Sequence, residues 1–253
     1  MKRYVFTDLH GCYDLYKQIK EFVNEDDVLY CLGDCGDRGP QSWETLKAVL
    51  EDPQVIYLKG NHDDMLGYAL FEQLGVKPHK YSEYRTDATY LCKRNGGGNT
   101  LEGIKADPAY FNADFATRLI NLPTKVEFDN ECGCHVVLTH AGFTPALDYV
   151  PDDFDLIWSR DHFFEKPSKE CINWVMVHGH TPTEHLVNEL NLFRAFNDQP
   201  LFDEEVAKHP VWYCDDHKVD LDIGAVWYGS CALMDLDTFE EFIFTRKDMN
   251  EDA

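Results

Sequence analysis

The chain has 253 residues and a formal net charge of −23, from 46 acidic and 23 basic side chains. This length suits one large folded domain spanning residues 1–253, because chains of this size can bury a substantial core. The acidic balance repels polyanions, so we expect neither nucleic acid nor a membrane surface as a partner. The N-terminus lacks the apolar stretch of a signal peptide, and no later segment has the apolar length of a transmembrane helix, so we expect a cytoplasmic location.

The first 60 residues alternate apolar strands with amphipathic segments. Arg3 to Thr7 predicts a strand, and apolar residues then recur at helical spacing from Leu15 to Val23. Val28 to Leu32 predicts a second strand, Ser42 a cap for the helix-like WETLKAVLE, and Val55 to Leu58 a third strand. This alternation favours a parallel sheet.

The remainder of the chain predicts helices first and strands later. Residues 63–122 are polar and helix-like, and no repeat or low-complexity linker marks a domain boundary. Further strands are predicted at Val126 to Phe128, His135 to Thr139, Trp174 to Val177, Val219 to Ile223, Cys231 to Asp235 and Glu241 to Thr245. The segment from Glu184 to Asp216 is less regular, and we interpret it either as a cover over a site or as a solvated acidic face.

The nine cysteines form an odd set without a CxxC pair. Because most lie in apolar runs, they are typical of reduced cysteines packed as small hydrophobic side chains. Cys132 and Cys134 lie beside His135, but no second ligand pair has matching spacing, so a turn entering a strand is a better interpretation than a zinc site.

Five predicted strands end in Asp, Asn or His, mostly beside glycine. These ends are Asp8-Leu9-His10, Gly33-Asp34, Gly60-Asn61-His62, His140-Ala141-Gly142 and His178-Gly179-His180. In open sheets the ligand crevice lies outside the carboxyl ends of the strands. Mixed carboxylate, imidazole and amide ligands suit manganese, iron or zinc. Six candidates could hold two ions if Asp34 bridges them: Asp8, His10, Asp34, Asn61, His140 and His180.

The octapeptide GDCGDRGP, from Gly33 to Pro40, would by itself be explained more simply as an exposed turn with an ion pair. Its context favours a site. The blocks DLHG, GDCGDRG, GNHD, NGGG, HAG, WSRD, GHTP and DIGAVWYG follow one another through nearly the whole chain. This series resembles the calcineurin-like metallophosphoesterases, especially their phosphoprotein phosphatase branch and its bacteriophage lambda type. The resemblance implies an α/β fold of two mixed β-sheets in a sandwich flanked by α-helices, with a binuclear metal site at one edge.

The resemblance also implies a role for each matched residue. Asp8, His10 and Asp34 would bind one divalent ion, and Asp34, Asn61, His140 and His180 the other, with manganese as the expected metal and iron or zinc as alternatives. His62 would protonate the leaving oxygen with support from Asp37, and Arg38 and Arg160 would grip phosphate. Three departures from the family pattern concern Gly36, where an apolar residue is common, Asp63, where Glu is common, and the additional histidine at His178.

These residues predict a metal-dependent phosphatase that hydrolyses phosphomonoesters by direct attack of a water held between the ions. The leading substrates are phosphoserine and phosphothreonine in proteins or peptides, with phosphotyrosine also considered and small phosphate esters as surrogates. The alternative enzyme is a symmetrical diadenosine tetraphosphate hydrolase. A noncatalytic metal-binding interaction protein is less favoured, because His62, Arg38 and Arg160 are all present. The sequence does not predict the oligomeric state.

Overall fold

The computed structural model describes residues 1–78, 87–146 and 149–246. Within these ranges the strands are β1 (Arg3–Phe6), β2 (Val28–Cys31), β3 (Val55–Tyr57), β4 (Lys125–Asp129), β5 (His135–Thr139), β6 (Trp174–His178), β7 (Val211–Tyr213), β8 (Lys218–Asp220), β9 (Ser230–Asp235) and β10 (Glu241–Thr245). The α-helices are α1 (Tyr13–Phe22), α2 (Ser42–Glu51), α3 (Asn61–Leu74), α4 (Ala88–Arg94), α5 (Gly98–Lys105), α6 (Ala113–Ile120), α7 (Asp153–Trp158), α8 (Thr183–Phe196) and α9 (Ala225–Tyr228).

The strands form two five-stranded sheets, ordered β10-β9-β1-β2-β3 and β4-β5-β6-β8-β7. In the first sheet β1, β2 and β3 are parallel, and β9 and β10 add antiparallel strands. In the second sheet β5, β6 and β8 are parallel, and β4 and β7 are antiparallel edges. Both sheets are therefore mixed, which confirms the predicted α/β sandwich.

One hydrophobic core joins the two sheets. Val5 and Leu32 from the first sheet are fully buried against Val136, Val177 and Val219 from the second. A larger core lies on the other face of the first sheet, where helices α1 to α6 pack. The first sheet is therefore buried on both faces, which explains why β1 and β2 are almost continuously apolar.

Most predicted strands agree with the structure to within about two residues, but three local predictions were wrong. The strand β7 was missed because it lies within the segment that was interpreted as irregular. Ser42 does not cap α2, since its hydroxyl donates to the Gly39 carbonyl (2.6 Å) and closes the preceding loop. The segment predicted to be irregular from Glu184 begins inside α8, whose Leu186 and Leu190 are buried at helical spacing among acidic and polar residues.

The sandwich brings the predicted strand ends to one edge. Backbone bonds run from Asp8 N–H to Gly33 O (3.2 Å) and from His10 N–H to Asp34 O (3.0 Å), so the loops after β1 and β2 are joined. The His140 ring, after β5, links the second sheet to the first, because its Nδ1 donates to the Leu32 carbonyl just after β2 (2.8 Å). This edge collects polar side chains from both sheets.

Candidate metal and phosphate site

The ten predicted site residues divide by exposure into two kinds. Eight have buried side chains: Asp8, His10, Asp34, Asp37, Asn61, His62, His140 and His180. Arg38 and Arg160 are exposed. The site is therefore a buried group of carboxylates, imidazoles and one amide, with two guanidinium groups on its solvent side.

The described part of the chain contains two groups of three residues that could bind a metal ion. Within each group, the potential ligand atoms lie within 4.8 Å of one another. One consists of His10, Asp34 and His62, and the other of Asp8, Asp34 and His140. Asp34 is common to both groups. This position is the one that a bridging carboxylate requires.

His10 is held so that one ring nitrogen faces the carboxylates of the site. Its Nδ1 donates to Gly36 O (2.9 Å), while Nε2 lies 3.7 Å from Asp8 Oδ1 and 3.9 Å from Asp34 Oδ2. Burial and then the Arg38 guanidinium lower the pKa of His10 well below its usual value. The ring is therefore neutral, and its Nε2 lone pair faces the carboxylates.

Asn61, His140 and His180 form the second converging set. Asn61 Oδ1 lies 2.9 Å from both His140 Nε2 and His180 Nδ1. Because the ring of His140 donates from Nδ1 to the protein backbone, its neutral form would place two acceptors against each other at this point. A cation between the atoms would remove that conflict.

The carboxylates around His140 also favour a positive charge at this point. Burial lowers the pKa of His140, but Asp34 and Asp8 outweigh burial and raise it to about 9. Asp34 Oδ2 is 3.3 Å from His140 Nε2. His180 Nε2 is buried and has no hydrogen-bond partner among the described residues. The donor set therefore fits divalent cations, which suit mixed oxygen and nitrogen ligands.

The additional histidine at His178 does not join this set. Its Nδ1 donates to Gly179 O (3.0 Å), and its Nε2 accepts from the Tyr213 hydroxyl (2.7 Å). Mainly through burial, the pKa of His178 falls to about 3, so the ring is neutral. Both ring nitrogens are occupied by the protein, and His178 therefore has a packing and hydrogen-bonding role.

His62 lies beside the ligand group with its orientation fixed. Its Nδ1 donates to Asp37 Oδ2 (2.7 Å), and its Nε2 accepts from Arg38 Nη2 (2.8 Å). Arg38 Nη1 donates to His10 Nε2 (2.6 Å), so the guanidinium spans the two rings. His62 Nε2 is 4.0 Å from Asp34 Oδ2. An oriented imidazole and a guanidinium are thus adjacent to the carboxylates.

Arg160 approaches the site from the loop after α7. Its Nε donates to Thr181 Oγ1 (2.8 Å), next to His180 in the chain. Partial burial of its guanidinium lowers the pKa of Arg160, the charges of Asp220, Asp222 and Asp8 oppose this effect, and the charge of Arg38 adds to it. The two exposed arginines therefore belong to one electrostatic group.

The contacts of Asp63 were not predicted from the sequence. Asp63 Oδ2 accepts from the backbone N–H groups of Gly60 (2.9 Å) and Asp34 (3.1 Å). The Tyr57 hydroxyl donates to Asp63 Oδ1 (2.9 Å). The shorter side chain at position 63 therefore still supports the loop of Asp34.

Two buried threonines were also missed. Thr7 Oγ1 donates to Asp8 Oδ2 (2.5 Å). Thr100 Oγ1 donates to Asp37 Oδ1 (2.6 Å) and accepts from the Asp37 backbone N–H (2.9 Å). Thr7 directly precedes a predicted ligand, a signal that could have found it. Thr100 is 63 residues from Asp37 and gave no such signal.

Six of the ten predicted site residues have positive φ angles. They are Asp8 (50°), His10 (41°), Asp34 (57°), Asp37 (66°), Arg38 (62°) and His180 (70°). Left-handed backbone is costly for such residues and persists only where surrounding contacts hold it, often at functional sites. Glycine is also required at Gly60, because a Cβ there would lie 2.0 Å from Asp34 Oδ1.

Comparison with known proteins assigns this arrangement to a family. The family model for calcineurin-like phosphoesterases matches residues 1–225. The chain belongs to the calcineurin-like phosphoesterase family. This is a family of metal-dependent hydrolases, and the buried cluster of potential ligand atoms agrees with that.

The curated relatives carry two kinds of names. Serine/threonine-protein phosphatase 1 of Salmonella typhimurium is 38% identical over 196 residues, which cover 75% of this chain and 82% of that protein. The symmetrical bis(5'-nucleosyl)-tetraphosphatase of Vibrio parahaemolyticus is 37% identical over 153 residues, which cover 58% of this chain and 47% of that protein. Across the tetraphosphatases compared, the match spans between 31% and 47% of their length.

A solved structure supports the fold. A provisionally named diadenosine tetraphosphatase superimposes with a TM-score of 0.57 at 15% identity, covering 96% of this chain and 93% of the other. At this identity the likeness shows the fold alone. Separately, none of the helices in the described ranges has the length and apolar character needed to cross a membrane.

Proposed function

We propose that this protein is a binuclear metal-dependent phosphatase that hydrolyses phosphoserine and phosphothreonine in proteins or peptides. One ion would be held by Asp8, His10 and Asp34, and the other by Asp34, Asn61, His140 and His180. When bound, divalent ions of this kind activate water and neutralise the charge of a phosphoryl group. We expect manganese to serve, because the carboxylate and amide oxygens suit it, with iron or zinc as alternatives that suit the imidazole ligands.

The chain's own residues would bind, orient and protonate the substrate. Arg38 and Arg160 would grip the nonbridging oxygens of the phosphate, since a guanidinium presents paired donors that match phosphate. His62, when both of its ring nitrogens carry a proton, would donate the proton on Nε2 to the departing alkoxide and keep the proton on Nδ1. Asp37 accepts from Nδ1 and so holds the ring with Nε2 directed toward the site. Direct displacement by water needs no phosphorylated enzyme.

The observation that carries this proposal is that the adjacent residues Asn61 and His62 make different kinds of contact. Asn61 directs its amide oxygen toward two histidines, while the adjacent His62 is held by Asp37 and contacts Arg38. A purely structural metal site would need no oriented imidazole next to an exposed guanidinium. An acid and a phosphate clamp beside a ligand cluster are the parts that phosphate-ester hydrolysis uses.

The choice of a protein substrate is supported by coverage and charge. The match to the serine/threonine phosphatase covers 82% of that protein, whereas the match to the Vibrio parahaemolyticus tetraphosphatase covers 47%. A net charge of −23 offers little general attraction for a polyphosphate chain. The second candidate is symmetrical hydrolysis of diadenosine tetraphosphate, favoured by the several tetraphosphatase relatives at 35–41% identity.

The test is a panel of substrates given to the manganese-loaded protein. Phosphoserine, phosphothreonine and phosphotyrosine peptides would be compared with diadenosine tetraphosphate by kcat/KM, with metal content measured on the same sample. We expect two ions per chain and the highest kcat/KM on a phosphoserine or phosphothreonine peptide. A clear preference for diadenosine tetraphosphate would establish the second candidate, and fully loaded active protein with one ion would contradict the binuclear site.

A further inference from the structure

Thr100 is a fully buried polar residue that contacts Asp37, the partner of His62. It lies in α5, directly after the NGGG turn. A Cβ at Gly97 of this turn would lie 3.0 Å from Asp37 Oδ2 and 2.3 Å from Cys92 Sγ. The glycine therefore lets the start of α5 approach the loop that carries Asp37.

The Thr100 hydroxyl closes a small ring with Asp37. It accepts from the Asp37 backbone N–H (2.9 Å) and donates its only proton to Asp37 Oδ1 (2.6 Å). Asp37 Oδ2 is then left to accept from His62 Nδ1 (2.7 Å). All three side chains are at most 3% exposed, so water does not compete for these bonds. Each oxygen of the carboxylate has one assigned donor.

This assignment has a consequence for orientation. The terminal torsion of an aspartate has a broad, roughly two-fold profile, so a carboxylate does not by itself fix the direction of its two oxygens. Asp37 also has a φ of 66°, a backbone conformation that needs external support. Thr100 supplies both constraints, because one hydroxyl holds the backbone N–H and one carboxylate oxygen.

We propose that Thr100 is a positioning residue for the reaction, acting through Asp37 to hold the His62 ring in line with the leaving oxygen. The proposal rests on the proposed function of His62 as the proton donor. The hydroxyl bonds to Asp37 and not to a predicted metal ligand. Its effect is to keep Nδ1 of His62 as the donor to Asp37, so that Nε2 faces the site, where it contacts Arg38 in this structure and would carry the donated proton in the reaction.

The test compares Thr100→Val, which removes the hydroxyl at similar shape, with Thr100→Ser, which keeps it. Turnover would be measured on an alkyl phosphate with a poor leaving group and on an aryl phosphate with a good one. We expect Thr100→Val to lose about 10–100-fold in kcat on the alkyl substrate, the usual cost of removing a supporting hydrogen-bond partner. The loss should be smaller on the aryl substrate, and Thr100→Ser should recover most of the activity.

The matched control is Thr45→Val. Thr45 is also fully buried on a helix, but its hydroxyl donates to the Gln41 carbonyl (2.7 Å). This variant should change thermal stability without changing the ratio of alkyl to aryl turnover. If Thr100→Val does not fold, Thr100→Ala serves as the second variant. Equal losses on both substrates, without recovery by Thr100→Ser, would overturn the positioning role.

A second measurement is independent of the substrate. Proton-nitrogen NMR correlation of the imidazole groups in metal-free protein identifies which ring nitrogen of His62 carries the proton. We expect the neutral ring of wild-type His62 to carry its proton on Nδ1, and the neutral ring in Thr100→Val to show a mixture of tautomers. An unchanged His62 spectrum in that variant would overturn the inference. Failure of the wild-type protein to hydrolyse any phosphomonoester would instead count against the proposed function, since the NMR result stands apart from it.

Discussion

Replacing Asp34 with Asn perturbs both proposed metal positions with little change in shape. Asp34 Oδ1 accepts from the His62 backbone N–H (3.0 Å), a bond that the amide oxygen of Asn can preserve. Asp34 Oδ2 lies between the two histidine groups, 3.3 Å from His140 Nε2 and 3.9 Å from His10 Nε2. The substitution therefore places a neutral amide donor where a shared negative charge had been.

The size of the effect follows from these distances. At 3.3 Å, and with an effective dielectric constant of about 20, the attraction between Asp34 and a protonated His140 is about 5 kcal/mol before desolvation is subtracted. The pKa of His140, raised to about 9 by Asp34 and Asp8 against the effect of burial, should therefore fall in the variant. Loss of a supporting residue commonly weakens metal binding by 10–100-fold. We expect loss of this shared ligand to weaken manganese binding by at least about 100-fold.

The assay is a manganese competition titration with metal analysis, together with an NMR titration of His140 in chelated protein. The neighbouring variant Asp37→Asn is the control. It removes a buried carboxylate from the same loop, but that carboxylate holds His62 and Thr100 instead of the ligand group. We expect it to reduce turnover and to keep its metal. Normal manganese affinity and normal turnover in Asp34→Asn would refute the bridging role.

Two further outcomes follow from the site. His62→Asn should lower turnover by about 10²–10⁴-fold on an alkyl phosphate, the usual contribution of acid catalysis, and by less on an aryl phosphate. The metal content should not change. Equal losses on both substrates, with chemistry rate-limiting, would show that His62 positions the substrate or supports the metal site and does not donate a proton. The pKa of His140 is raised to about 9, so below that pH manganese must displace a proton from the ring in order to bind. The apparent affinity for manganese should therefore rise about tenfold per pH unit between about pH 6.5 and 9. Competition titrations across this range check it, and an affinity independent of pH would contradict it.

The strand ends could be predicted because their signals are local in the chain. Asp8, Asp34 and Asn61 each follow an apolar strand within a few residues, and parallel strands end at the same edge of a sheet. His140 and His180 follow β5 and β6 in the same manner. Composition and alternation therefore indicated both the sheet edge and the type of side chain there.

The supporting residues could not be predicted because their contacts are made only in the folded chain. Thr100 reaches Asp37 across 63 positions, and no periodic pattern connects them. The helix α8 was missed for a different reason. Its buried Leu186-Val187 pair and Leu190 lie among charged and amide side chains, so the local composition favoured a solvated segment over a packed helix.

Bonds within the protein itself hold the proposed ligands in strained conformations. Asp8 Oδ2 accepts from the His180 backbone N–H (3.0 Å), and Asp63 holds the backbone N–H of Asp34 (3.1 Å). These bonds act where φ is positive at Asp8, Asp34 and His180, so they stabilise the conformations that cost most. Metal binding then has little backbone ordering to offset. Its main contribution is to balance buried negative charge, which is why its dependence on pH and on Asp34 should be large.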